Sequence, residues 1–119
     1  MLSKRLTEIA EMIDKNKVVF DVGSDHALLP CFLLKEGICK KVYAGEIAQG
    51  PLNKVKEAVS SYGYEGKLIP VFSDGLKDAP EDCEVIVIAG MGSTIRMADD
   101  VLYYKYRTAS FQSFCRSRR

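Results

Sequence analysis

Four short apolar runs, VVFDV (18–22), KVYAGEI (41–47), KLIPVF (67–72) and EVIVIA (84–89), recur along the chain with longer, more polar segments between them. Apolar runs of this length that do not alternate with polar residues suit strands buried on both faces, as in a parallel sheet. The intervening segments supply the helices that parallel strands need. Leu2, Leu6, Ile9 and Ile13 recur at helical spacing and predict an amphipathic helix over 2–15, ended by Asn16 and Lys17. LLPCFLLKEG (28–37) predicts a second helix, with Pro30 tolerable only in its first turn and Gly37 as its C-cap. PLNKVKEAVSSYG (51–63) predicts a third, with Pro51 near its start and Gly63 at its stop. SDGLKDAPEDC (73–83) is a polar connection before the fourth strand. This alternation predicts an α/β fold: a Rossmann-like parallel sheet with right-handed crossovers, flanked by helices and covered on both faces.

Beyond residue 92 the pattern weakens. No fifth strand is predicted, and residues 103–119 are expected to form an atypical tail, disordered or frameshifted, after a partial domain over 1–102. The sheet is therefore expected to be incomplete at its C-terminal side, leaving an edge through which copies could self-associate.

A chain of 119 residues suits one domain, and 47% hydrophobic with 28% charged residues excludes disordered and fibrous classes. The net charge of +1 lacks the basic excess of a strong nucleic-acid binder, so any such partner must be held by a local patch or by a further domain. Lys4, Arg5, Lys40 and Lys41 read first as solvated charges, and Tyr43, Tyr62 and Tyr64 as sheet or helix packing. Cys31, Cys39, Cys83 and Cys115 form no CxxC pair, and with one histidine they write no zinc site. They read as small buried hydrophobes. No secretory signal and no run of roughly 20 apolar residues is visible, so a reducing cytoplasm and no membrane partner are expected.

Ligands of open parallel sheets sit outside the carboxyl ends of the strands. Here those ends read DVGSDH, GEIAQG, FSDGL and IAGMG, each with a small residue, a carboxylate or both. A dinucleotide fingerprint requires a second glycine beside the pyrophosphate, but Asp25 stands there, two residues after Gly23. A carboxylate about 4 Å from a phosphate charge is opposed by roughly 1 kcal/mol in water and about 4 at an effective dielectric of 20. S-adenosyl-L-methionine inverts this logic, because it has no phosphate and carries two cations. Asp21 and Asp25 then suit its amino-acid end, while Gly23 permits close backbone approach. Glu46, 25 residues after Asp21, suits the two ribose hydroxyls, and Asp74 the adenine amino group.

Plainer structural readings stand beside these. Asp21 and Asp25 suit helix caps, Glu46 an ordinary strand end, and Asp74 a turn. Met91 suits either a cofactor contact or the core. His26 reads as a base, a substrate contact or a local hydrogen-bonding residue. The convergence of these groups at strand ends favours a site over any one motif.

LSKRL, DVGSDHALLP, AGEIAQGPL, YGYEGK, SDGL and VIVIAGMG together resemble the bacterial tRNA adenine-22 N1-methyltransferase family over about residues 2–92. The resemblance implies a class I S-adenosyl-L-methionine-dependent enzyme that methylates N1 of adenine 22. It also implies a helical C-terminal domain, absent from this sequence, as the main tRNA contact. By motif matching it assigns Asp21, Gly23, Asp25 and His26 to the first cofactor loop, Glu46 to the ribose site, and Asp74 and Gly75 to the adenine site. Gly90, Met91 and Gly92 fall where methyl donor and target base should meet. Ser93 departs from the family, which usually has glycine there. Asp25 and His26, in that order, are the expected catalytic groups nearest the target base, and no metal is expected. The alternatives are a cofactor-binding fragment without activity and a nicotinamide-dependent oxidoreductase.

Overall fold

The computed structural model describes residues 4–24 and 27–89, together with the backbone of 101–104. The elements, in chain order, are α1 (Lys4–Met12), β1 (Val19–Val22), α2 (Leu28–Lys35), β2 (Val42–Glu46), α3 (Gln49–Tyr62), β3 (Leu68–Phe72), β4 (Val85–Ala89) and β5 (Val101–Tyr104). The sheet order is β3-β2-β1-β4-β5. The first four strands are mutually parallel, with Val19 opposite both Val42 and Val85, and Val42 opposite Leu68. Their order reverses at β1, so the crevice such a sheet offers a ligand lies above the carboxyl ends of β1 and its neighbours.

β5 is a strand where none was expected. It pairs antiparallel with β4, Ala89 opposite Val101 and Ile86 opposite Tyr104. Four residues are too few to display a period, and the aromatic run continues to Tyr106. Only the pairing with β4 distinguishes a strand there.

The period-two geometry of the strands divides the core. On one face, Val19, Val42, Val85 and Val87 pack with Ile9, Ala10 and Ile13 of the α1 segment and Leu29 and Leu33 of α2. Alongside, Ala44 and Leu68 pack with Val55 of α3 and with Ala27. Phe20, Val22, Tyr43, Ile86 and Ile88 occupy the other face, where Leu76 and Cys83 of the β3–β4 connection cover them. Both faces are covered, but the three described helices share one of them. Burial of a side chain such as Leu33 contributes about 1.5–3 kcal/mol before entropy is set against it.

Several local signals are realised. α1 stops earlier than its period implies, yet Ile13 stays buried through the bend that follows, and Asn16 turns the chain at φ 66°. Pro30 lies in the first turn of α2, and Gly37 and Gly63 adopt left-handed φ just past α2 and at the C-cap of α3. Pro70 sits in β3, an edge strand, where a missing N–H is tolerated. Cys39 and Cys83 are buried and Cys31 is half-buried. Burial pushes the Cys39 thiol up to about 11, so it is scarcely nucleophilic at neutral pH.

Two readings of exposed residues change. Tyr62 is 64% exposed, its ring 5.8 Å from that of Tyr64, and does not pack in the core. Lys41 is an ion-pair partner: its Nζ donates to Asp82 Oδ2 at 2.8 Å and lies 5.0 Å from the Tyr43 ring centroid. The Tyr43 hydroxyl donates to Asp82 Oδ1 at 2.6 Å. The Lys41 ammonium and then the Tyr43 hydroxyl hold the Asp82 carboxyl below its ordinary 3.8. A depressed folded value means that this contribution is complete above about pH 4 and is lost as acid protonates the folded carboxylate. Asp82→Ala is therefore expected to lower the melting midpoint by a few degrees at pH 7. The deficit should shrink toward zero in scans run progressively below pH 4; a deficit independent of pH would contradict the assignment.

Candidate functional site

The carboxyl ends of β1, β2 and β3 converge through backbone bonds before any side chain is considered. Gly23, at φ 68°, donates its N–H to the Gly45 carbonyl at 2.9 Å, and the Ser24 N–H reaches the same oxygen at 3.3 Å. The loop after β1 is thus stitched to the residue preceding Glu46. On the other side, the Ser73 N–H donates to the Glu46 carbonyl at 3.0 Å, continuing the β2–β3 pairing into the next loop.

Glu46 ends β2 and is 7% exposed. The Ser24 hydroxyl, 4% exposed, donates to its Oε2 at 3.0 Å. This is the hydrogen bond the described residues give that carboxylate. Asp21 is also buried, the third residue of β1, with Ala44 and Val87 as its neighbours across the sheet. The N-cap of α2 is Ala27, at φ 58°, whose N–H returns to the Ser24 carbonyl at 2.9 Å.

The β3 end forms a tight polar turn. Ser73, buried, donates from Oγ to the Gly75 carbonyl at 2.8 Å and accepts from the Asp78 N–H at 3.1 Å. Gly75 takes φ 60°, and Leu76 anchors the turn in the core. Asp74 is left exposed at its tip. Two apolar side chains next to Glu46 are exposed: Ile47 is 62% exposed, and Phe72, the Cα partner of Glu46 in β3, is 59% exposed.

Asp21, Gly23, Glu46, Asp74 and Gly75 therefore all lie at the carboxyl ends of three adjoining strands. Asp25, His26, Gly90 and Met91 fall outside the described residues. Sequence reasoning missed Ser24, Ile47 and Phe72. An apolar residue directly after a strand-end carboxylate was the available signal for Ile47, which the run KVYAGEI absorbed into the strand. Nothing local marks Ser24 as the partner of a residue 22 positions away.

The site's chemistry follows from its donors and acceptors. A buried, oriented carboxylate accepts hydrogen bonds from hydroxyls or attracts a cation, and repels phosphate. The two exposed apolar side chains beside it suit the face of a flat heterocycle. Among the described residues no group of three or more His, Cys, Asp or Glu is placed to hold a metal ion. None of the described helices is long and apolar enough to cross a membrane.

Comparison with known proteins adds to this geometry. The chain is 38% identical over 95 residues to the tRNA (adenine(22)-N(1))-methyltransferase of Bacillus subtilis (strain 168), covering 79% of this chain and 40% of that protein. The crystal structure of the B. subtilis m1A22 tRNA methyltransferase superposes with a TM-score of 0.73 at 38% identity, over 77% of this chain and 40% of that one. The M. capricolum enzyme, solved with S-adenosyl-homocysteine, shares the fold at a TM-score of 0.66 and 23% identity, over 87% of this chain and 66% of that one. The chain thus spans about 40% of the length of the curated relative it matches. A family defined as a methyltransferase domain matches residues 2–109, a span that runs from before α1 to beyond β5, and the chain belongs to that methyltransferase-domain family.

Proposed function

We propose that this chain binds S-adenosyl-L-methionine and forms the catalytic part of an enzyme that methylates N1 of adenine 22 in tRNA. The observation that carries the reading is the buried Glu46 carboxylate, oriented by Ser24 at the end of β2. It suits a ribose diol and disfavours a cofactor phosphorylated at the ribose 2′-hydroxyl. The 38% identity over 95 residues to a tRNA (adenine(22)-N(1))-methyltransferase supports the substrate.

In this reading Glu46 accepts from the ribose hydroxyls, and the Ile47 and Phe72 side chains flank the adenine ring. Asp74 accepts from the adenine amino group, with Gly75 allowing the turn that presents it. Asp21 and Asp25 hold the cationic amino-acid end, and Gly23 lets the backbone approach. By motif match, Gly90 and Met91 belong to the segment where donor and base meet. When bound, the cofactor would supply a methyl group carried on a cationic sulfur. Holding the ring nitrogen in line with that group contributes up to roughly 7–11 kcal/mol. Adenine N1 is neutral before transfer, so the ring becomes cationic, and a carboxylate such as Asp25 beside it favours that charge. His26, which follows Asp25 in sequence, is the second candidate. N1 lies on the pairing edge of the base, so the nucleotide must be unstacked or unpaired first. A tRNA substrate supports a cytoplasmic location for this reading.

Tritium transfer from labelled S-adenosyl-L-methionine to tRNA carrying adenine or guanine at position 22 tests the proposal. Label is expected with adenine only. Equal labelling of both tRNAs would overturn the target, and failure to bind S-adenosylhomocysteine in calorimetry would overturn the cofactor. Binding without transfer would instead define a cofactor-binding unit lacking activity.

A further inference from the structure

We infer that Ser24 is a positioning residue for the ribose carboxylate, presenting one oxygen of Glu46 to the cofactor by engaging the other. The inference rests on the cofactor reading above and adds to it the residue that makes Glu46 selective. An ionised carboxylate only accepts, so the hydroxyl donates, and the 3.0 Å bond runs from Ser24 Oγ to Oε2. Both residues are almost entirely buried, which limits the exchange of this bond for water. The backbone holds the donor as firmly as the acceptor. Gly23 and Ser24 both donate to the carbonyl of Gly45, the residue before Glu46, and Ala27 closes the loop onto the Ser24 carbonyl.

The consequence is preorganisation. A free carboxylate at a strand end turns about its terminal torsion and must be immobilised when a diol binds. With Oε2 engaged, the carboxylate plane is fixed in advance, and no other described residue donates to the carboxylate. The arrangement also places a negative charge where a 2′-phosphorylated cofactor would carry its own.

The test is calorimetry with S-adenosylhomocysteine and with its 2′,3′-dideoxyribose analogue, on the unsubstituted chain and on Ser24→Ala. S-adenosylhomocysteine affinity is expected to fall about tenfold on substitution, in line with loss of one hydrogen bond to a charged group. Affinity for the dideoxy analogue is expected to be unchanged, because it offers the carboxylate nothing to accept. In a Glu46→Ala background, Ser24→Ala should cause no further loss. An equal loss with both ligands would show general damage to the loop and overturn the inference, as would no loss with either. So would a tenfold loss that persists without Glu46. If Ser24→Ala does not fold, Ser24→Cys keeps the volume with a weaker donor and is read by the same ligand pair. Failure of the unsubstituted chain to bind S-adenosylhomocysteine sinks the cofactor reading and this inference with it; binding by that chain with an indifferent Ser24 sinks the inference alone.

Discussion

Glu46→Gln is expected to lower S-adenosylhomocysteine affinity by roughly 10- to 100-fold while leaving the melting midpoint within a few degrees of the parent. The amide keeps an acceptor for the Ser24 hydroxyl, so the buried donor at 3.0 Å is not orphaned. What the substitution removes is charge. Hydrogen bonds to an ionised group are roughly twice as strong as neutral ones, and two ribose hydroxyls would each feel the difference. A loss of about 1.4–2.8 kcal/mol corresponds to that range of affinity. Glu46→Ala should be worse on both counts, since it also strands Ser24 at a cost of about 1–3 kcal/mol in stability. Calorimetry beside thermal melting separates the two effects. Should Glu46→Gln bind as tightly as the parent, the ribose assignment would be untenable.

The runs of β1, β2 and β4 were legible because a strand buried on both faces has no polar alternation to confuse it, whereas β3, half-buried at its edge, was legible from its apolar composition. The glycines after α2 and α3 were legible because left-handed φ is punctuation that few other residues can supply. The fifth strand was hidden, since its identity lies in pairing with β4 rather than in its own four residues. Ion pairing of Lys41 was hidden for a related reason: Asp82 is 41 positions away and meets it only once β2 and β4 are laid in the sheet. Of the site, the carboxylates showed themselves by residue type at strand ends. Their supporting contacts did not. Ser24 reaches Glu46 through the β1–β2 register, and the exposure of Ile47 follows from where β2 stops, neither of which local composition encodes.

Gly45 joins these two levels, and its substitution carries the largest expected effect on the fold. Unlike Gly23 and Gly75, it needs no left-handed φ; the requirement is space. A Cβ at this position would lie 2.6 Å from Phe20 Cε1 and 2.9 Å from Cζ. Ring ends on flexible, exposed side chains move aside cheaply. Phe20 is wholly buried, packed with Val22, Tyr43 and Ile86, and has little room to do so. Overpacking of this kind costs about 1–3 kcal/mol, so Gly45→Ala is expected to lower the melting midpoint by roughly 10 °C, and Gly45→Val by more. Phe20→Leu removes the clashing ring atoms at its own cost. Gly45→Ala in that background should then be markedly less damaging, a non-additive pair of the sort expected for residues in contact. Strict additivity of the two substitutions would rule out the steric explanation. Because the Gly45 carbonyl receives the Gly23 and Ser24 amides, any retreat of β2 from Phe20 also displaces the loop and the Glu46 carboxylate. The same Gly45→Ala protein, measured well below its melting midpoint, should bind S-adenosylhomocysteine more weakly than the parent, with Phe20→Leu restoring part of the loss.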